Sequence, residues 1–105
     1  MEEEKIWSVE EIHSIPIEKR SGRFRVNPHM VIWYKKGKLH RENGPAIEHS
    51  DGDFSWYKNG GLHRLDGPAI LWNGKQSWFI ENKECTEEEW KKLSFIILNN
   101  LEVFL

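Results

Sequence analysis

Two stretches of this chain are near-copies of one another. Residues 33–47 read Trp-Tyr-Lys-Lys-Gly-Lys-Leu-His-Arg-Glu-Asn-Gly-Pro-Ala-Ile, and residues 56–70 read Trp-Tyr-Lys-Asn-Gly-Gly-Leu-His-Arg-Leu-Asp-Gly-Pro-Ala-Ile. Eleven of the fifteen positions are identical at an offset of 23. Self-similarity at such a period points to one small structural unit that buries its apolar face by stacking on its neighbours. A third copy starts at Trp78-Phe79, and Glu81-Asn82-Lys83-Glu84-Cys85 replaces its Gly-Lys-Leu-His-Arg stretch. A degenerate half-copy over residues 24–31 precedes the first. Decayed end copies are expected, because terminal units must close a stack rather than continue it.

The unit reads as β-structure. Asn59-Gly60, Asn73-Gly74, Asp51-Gly52, Asn43-Gly44 and Asp66-Gly67 all tolerate the positive φ that tight hairpin turns demand. Pro45 and Pro68 lack the N–H of a central ladder, so each should start a strand or sit on its edge. Between turns the side chains alternate. Trp33, Trp56 and Trp78 should form a row on one side of a meandering antiparallel sheet, and Tyr34, Tyr57 and Phe79 a row on the other.

The unit Trp-Tyr-x-x-Gly-x-Leu-His-Arg-x-x-Gly-Pro-Ala-Ile resembles the MORN-like repeats found in uncharacterised proteins of bacteriophages and giant viruses. The match covers residues 30–82. It departs from the usual pattern at Arg41 and Arg64, where Gly commonly follows the His. The resemblance implies an elongated single-layer β-meander with a non-catalytic interaction role, and it names no partner.

The ends read differently. Thr86-Glu87-Glu88-Glu89 has the form of a capping box. Trp90, Leu93, Ile97 and Leu101 recur at helical spacing after it, which predicts a helix over 87–100 packing that stripe on the sheet. Residues 95–105 are apolar enough for the end of a core helix plus a short final strand or, alternatively, a homodimer or partner surface. At the N-terminus Ser8 could cap a short helix through His13, which Pro16 keeps from running on. Ile6, Trp7, Ile12, Ile15 and Ile17 could cover one end of the sheet. The fold expected is mainly β (α+β): a meander of six to eight short antiparallel strands and a C-terminal helix. The organisation expected is one domain, with 1–22 an N-terminal cap, 23–85 the hairpin repeats, and 86–105 the helix and tail.

Charge is uneven along the chain. Residues 1–18 carry one Lys against six Glu, residues 19–75 eleven Lys or Arg against five acids, and residues 76–105 three Lys against six Glu. The basic middle either neutralises the acidic ends or binds an anion. The acidic ends speak against nucleic acid. Cys85 is the one cysteine, so no intramolecular disulfide forms. No apolar run approaches the roughly 20 residues of a membrane span. A cytoplasmic setting is the simplest expectation, and the host cytoplasm if the source is viral.

His40-Arg41 and His63-Arg64 recur at one offset and should form rows on one rim. Arg presents a bidentate fork to phosphate or carboxylate, and nearby aromatics could hold a nucleobase. The competing reading has each His bonding the next turn and packing on a ring. With Tyr34, Tyr57 and Phe79, these four residues make the candidate binding set. No nucleophile motif, metal-ligand spacing or phosphate loop is present, so neither catalysis nor a cofactor is expected. Two functions follow. One is a protein-binding module, by family analogy a phage-encoded inhibitor of a host defence protein. The alternative is a small-ligand binder that sequesters a nucleotide or cyclic nucleotide signal.

Overall fold

The computed structural model describes residues 3–100. They form a mixed α/β fold, an eight-stranded antiparallel sheet with a helix at its C-terminal end. The strands are β1 (Gly22–Asn27), β2 (Met30–Lys35), β3 (Lys38–Leu39), β4 (Ile47–His49), β5 (Phe54–Ser55), β6 (Tyr57–Lys58), β7 (Gly61–Leu62), β8 (Ile70–Trp72), β9 (Lys75–Ile80) and β10 (Lys83–Cys85). The main sheet runs β1-β2-β4-β5-β8-β9-β10, with β3 also paired to β2. β6 and β7 pair as a separate hairpin. The molecule is elongated, 52 × 32 × 23 Å.

Four two-residue turns join strands with both central residues at positive φ: Lys36-Gly37, Asn59-Gly60, Asn73-Gly74 and Glu81-Asn82. This is the mirror-image turn whose twist matches paired strands. Two of the four were not legible as turns, because Lys36 and Glu81 are unusual residues for this region. Two further glycines depart from the turn expected of their dipeptides. Gly44 and Gly67 do not have positive φ. A Cβ on either would lie 2.7 Å from the guanidinium carbon of Arg41 or Arg64, so these glycines make room for an arginine. Pro45 and Pro68 each stand two residues ahead of β4 and β8, outside the strands.

The same backbone bonds occur in both near-copies. Trp33 N–H donates to Ala46 O and Trp56 N–H to Ala69 O, each at 2.7 Å. His40 N–H donates to Trp33 O and His63 N–H to Trp56 O, each at 3.1 Å. Neighbouring segments are tied in the same way: Gly60 N–H to Leu39 O and Asn82 N–H to Leu62 O, both 2.8 Å. Ala46 and Ala69, just ahead of β4 and β8, are fully buried, so a larger side chain would have to displace its neighbours. The rest of the buried apolar set is small: Ile12, Phe24, Val31, Ile80 and Trp90.

Both ends are covered. Ser8 and Thr86 each make a complete capping box, on α1 (Val9–Ser14) and α2 (Glu87–Leu98). α1 buries Ile12, and Trp7 packs edge-on to Phe24. Ile6 and Ile17 stay exposed, contrary to expectation. A 3-10 turn over Ile17–Lys19 follows, and Ile17 lies over Gly37. On α2 the packed stripe is Trp90 and Ser94, while Leu93 and Ile97 lie half in solvent. The reason is the anchor at Trp90, whose indole N–H donates to Arg64 O at 2.8 Å and whose ring lies 4.5 Å from Trp78. The expected final strand, Leu101 of the helical stripe, and residues 101–105 of the dimer segment lie outside the described residues.

Candidate functional site

Each repeated histidine holds the turn of the following segment. His40 Nδ1 accepts from Asn59 N–H and His63 Nδ1 from Glu81 N–H, both at 2.9 Å. Ser21 Oγ does the same for Lys36 N–H at 2.8 Å. An Nδ1 that accepts leaves the neutral ring's proton on Nε2. For His40 that proton has a partner, Glu42 Oε1 at 2.8 Å. Lys35 Nζ reaches the same oxygen at 3.4 Å. The hydrogen bond from His40 foremost, then that from Lys35, together with the electrostatic attraction of both side chains, hold the Glu42 carboxyl below the usual carboxylate range. In the second segment Leu65 replaces Glu42 and offers no acceptor. Burial holds the His63 imidazole below its ordinary pKa, Lys58 adds to this, and Glu81 opposes it.

Each repeated arginine stacks on the tryptophan of its own segment. The guanidinium carbon lies 4.2 Å from the ring of Trp33 for Arg41, and 4.1 Å from Trp56 for Arg64. A contact of this kind is worth roughly 0.5–2 kcal/mol. Both also donate to a loop carbonyl, Arg41 to Pro45 O at 3.3 Å and Arg64 to Pro68 O at 3.0 Å. Their carboxylates differ. Arg41 pairs with Glu48 on β4, and Arg64 with Asp66 in its own loop, each at 2.9 Å. The arginine side chains are only 27% and 19% exposed, so they are largely spent within the fold. The third segment has no such arginine, and the Trp90 ring lies against Trp78 instead.

Two clefts gather most of the expected site residues. One, of about 310 Å³, lies between the two His-Arg loops and brings together Arg41, Tyr57, His63 and Arg64. The other, of about 400 Å³, brings together Tyr34, His40 and Arg41. Phe79 lines neither; its carbonyl accepts from Arg64 N–H. A third cleft of about 490 Å³ continues from His63 and Lys58 to Leu65 and Ile97. Lys58 and Leu65 were missed in the sequence. The signal was there, in the few positions at which the near-copies differ and in a lysine they share.

No family model, curated protein or solved structure matches the chain. Among the described residues no group of three His, Cys, Asp or Glu side chains is placed to hold a metal ion. No helix among them is long and apolar enough to cross a membrane.

Proposed function

We propose that this chain is a non-catalytic binding module that engages another protein through the clefts beside its His-Arg loops. Its architecture is read as a stack of MORN-like hairpins about 23 residues long. The recurrence of the same backbone bonds at Trp33 and Trp56 supports that reading. So does the handing of each turn to the histidine before it.

One observation carries the functional reading. The cleft between the loops is open, and exposed polar and charged side chains, Glu42, Asn43, Lys58 and Asp66, stand on its wall beside Trp56, Tyr57 and Leu65. Small-molecule sites are typically enclosed and mostly apolar. A nucleotide would also find the Trp56 ring already stacked by Arg64. A shallow, charged groove suits an extended polypeptide better. The narrower idea, a phage-encoded inhibitor of a host defence protein acting in the host cytoplasm, rests on the family resemblance alone.

The test is a photo-crosslinking residue at Asn43, on the cleft wall, against one at Gln76 on β9, in cells of the native source. A protein adduct from position 43 and none from position 76 supports the reading. A nucleotide that raises the melting temperature, with no adduct from position 43, overturns it in favour of the small-ligand alternative.

A further inference from the structure

The two near-copies contain their own experiment in ligand recognition. In the first, Glu42 Oε1 sits on His40 Nε2 at 2.8 Å and on Lys35 Nζ at 3.4 Å. The second presents the same donors at the same offset, His63 and Lys58, but has Leu65 in place of the glutamate. We propose that His63 and Lys58 receive a carboxylate from the partner polypeptide, an acidic side chain flanked by apolar residues, in the place that Glu42 takes on His40 and Lys35. The proposal rests on the binding-module reading above and names the chemistry of the partner.

Three observations support it. First, His63 Nδ1 is engaged by Glu81 N–H, so the ring proton is on Nε2 and is available to an acceptor. Second, among the described residues neither His63 nor Lys58 forms an ion pair. Glu81 acts on His63 through its charge but is not within ion-pair distance of it. Arg64, by contrast, is matched by Asp66. Third, the groove does not end at the charges. His63 and Lys58 also line the cleft that runs to Leu65 and Ile97, and Ile97 is 45% exposed. A carboxylate held by two donors with apolar walls alongside suits a Glu or Asp within a polypeptide, with apolar neighbours resting on Leu65 and Ile97. A bare anion would gain the ionic contact alone, which is weak where water screens it.

The probe is a capped pentapeptide, acetyl-Gly-Leu-Glu-Leu-Gly-amide, titrated into the full chain. Its Gln counterpart, sodium acetate and inorganic phosphate serve as comparisons. The readout is the ring resonances of His63, with those of His40 as the internal control. The Glu peptide should move His63 and leave His40 still, and bind at least about tenfold more tightly than the Gln peptide, about 1.4 kcal/mol. Leu65→Glu, which supplies an internal carboxylate, should abolish the response, and Leu65→Gln should keep it. Glu42→Leu should open a second, weaker site at His40. Equal binding of the Glu and Gln peptides, or an unchanged response in Leu65→Glu, overturns the proposal. So does an equal His63 response to acetate or phosphate at the same concentration. If the adduct from position 43 persists while the peptides fail in this way, the carboxylate receptor falls and the binding module stands.

Discussion

The first and second near-copies solve the same local problems with different neighbours. Both lay an arginine on a tryptophan, but Arg41 takes its counter-charge from Glu48 on β4 and Arg64 from Asp66 in its own loop. The exchange is reciprocal. Where β4 offers Glu48, the loop carries Asn43; where β8 offers Leu71, the loop carries Asp66. The turns show the same compensation. Lys38 faces Gly60 of the next turn, whereas Gly61 faces Asn82, and a Cβ at Gly61 would lie 3.2 Å from the Cβ of Asn82. Two of the four differences within the aligned stretch, Lys38 to Gly61 and Asn43 to Asp66, are therefore answers to what sits beside them. The change of Glu42 to Leu65 is not matched in this way, since no other carboxylate among the described residues pairs with His63. A difference that the fold does not compensate is where function is best sought.

The largest effect should come from breaking what the copies share. Trp33→Ala and Trp56→Ala each remove a half-buried ring and its guanidinium stack. Each should cost roughly 2–4 kcal/mol in urea unfolding. Unequal losses would show that the two stacks are not equivalent. Next come Gly44→Ala and Gly67→Ala, which should cost roughly 1–3 kcal/mol by driving the arginine off its ring. In an Arg64→Ala background the Gly67→Ala cost should largely disappear. A double-mutant cycle without that coupling would return Gly67 to an ordinary turn role.

The pH dependence sharpens the contrast between the histidines. The folded-state pKa of His63 lies below its unfolded value, so the unfolded chain binds the proton more readily. That contribution to stability is complete above about pH 6.5 and is lost as pH falls through the lower folded value. His63→Gln should flatten the acid side of a stability-versus-pH curve. A slope that Gln leaves unchanged would place the titrating group elsewhere. The smallest effect belongs to Glu42→Leu, which makes copy one resemble copy two. Its urea midpoint should move less than that of Gly44→Ala, because the carboxylate is exposed.

The sheet and both capping boxes were legible because their signals are local. Asn59-Gly60 and Asn73-Gly74 state their turns outright, and Thr86 with Glu89 states the start of α2. Asn43-Gly44 and Asp66-Gly67 use the same dipeptides for a different purpose, room for a guanidinium, which only the tertiary structure reveals. Glu81-Asn82 hides a turn behind two side chains, held by the bond from Glu81 N–H to His63 and by Asn82 Oδ1 accepting from Leu62 N–H. The stripe on α2 was shifted for a similar reason. Periodicity located Trp90, but its partner Trp78 lies in another element and turns the helix about that point. Of the candidate residues, the histidines and arginines were found because they repeat. Leu65 went unnoticed because it breaks the repeat and carries no polar group.

On the hairpin-stack reading proposed above, the ties between turns pass from one segment to the next, so nothing in the middle of the chain fixes how many segments there are. Trp90 acts as a stopper on Trp78 and Arg64 at one end, and the stretch before β1 on Phe24 and the Lys36-Gly37 turn at the other. Splicing a duplicate of residues 33–55 ahead of Trp56 would give each stopper the same neighbour as before. The product would be a longer ladder with unchanged ends, its extra length visible in solution scattering and its cooperativity in a single, steeper unfolding transition.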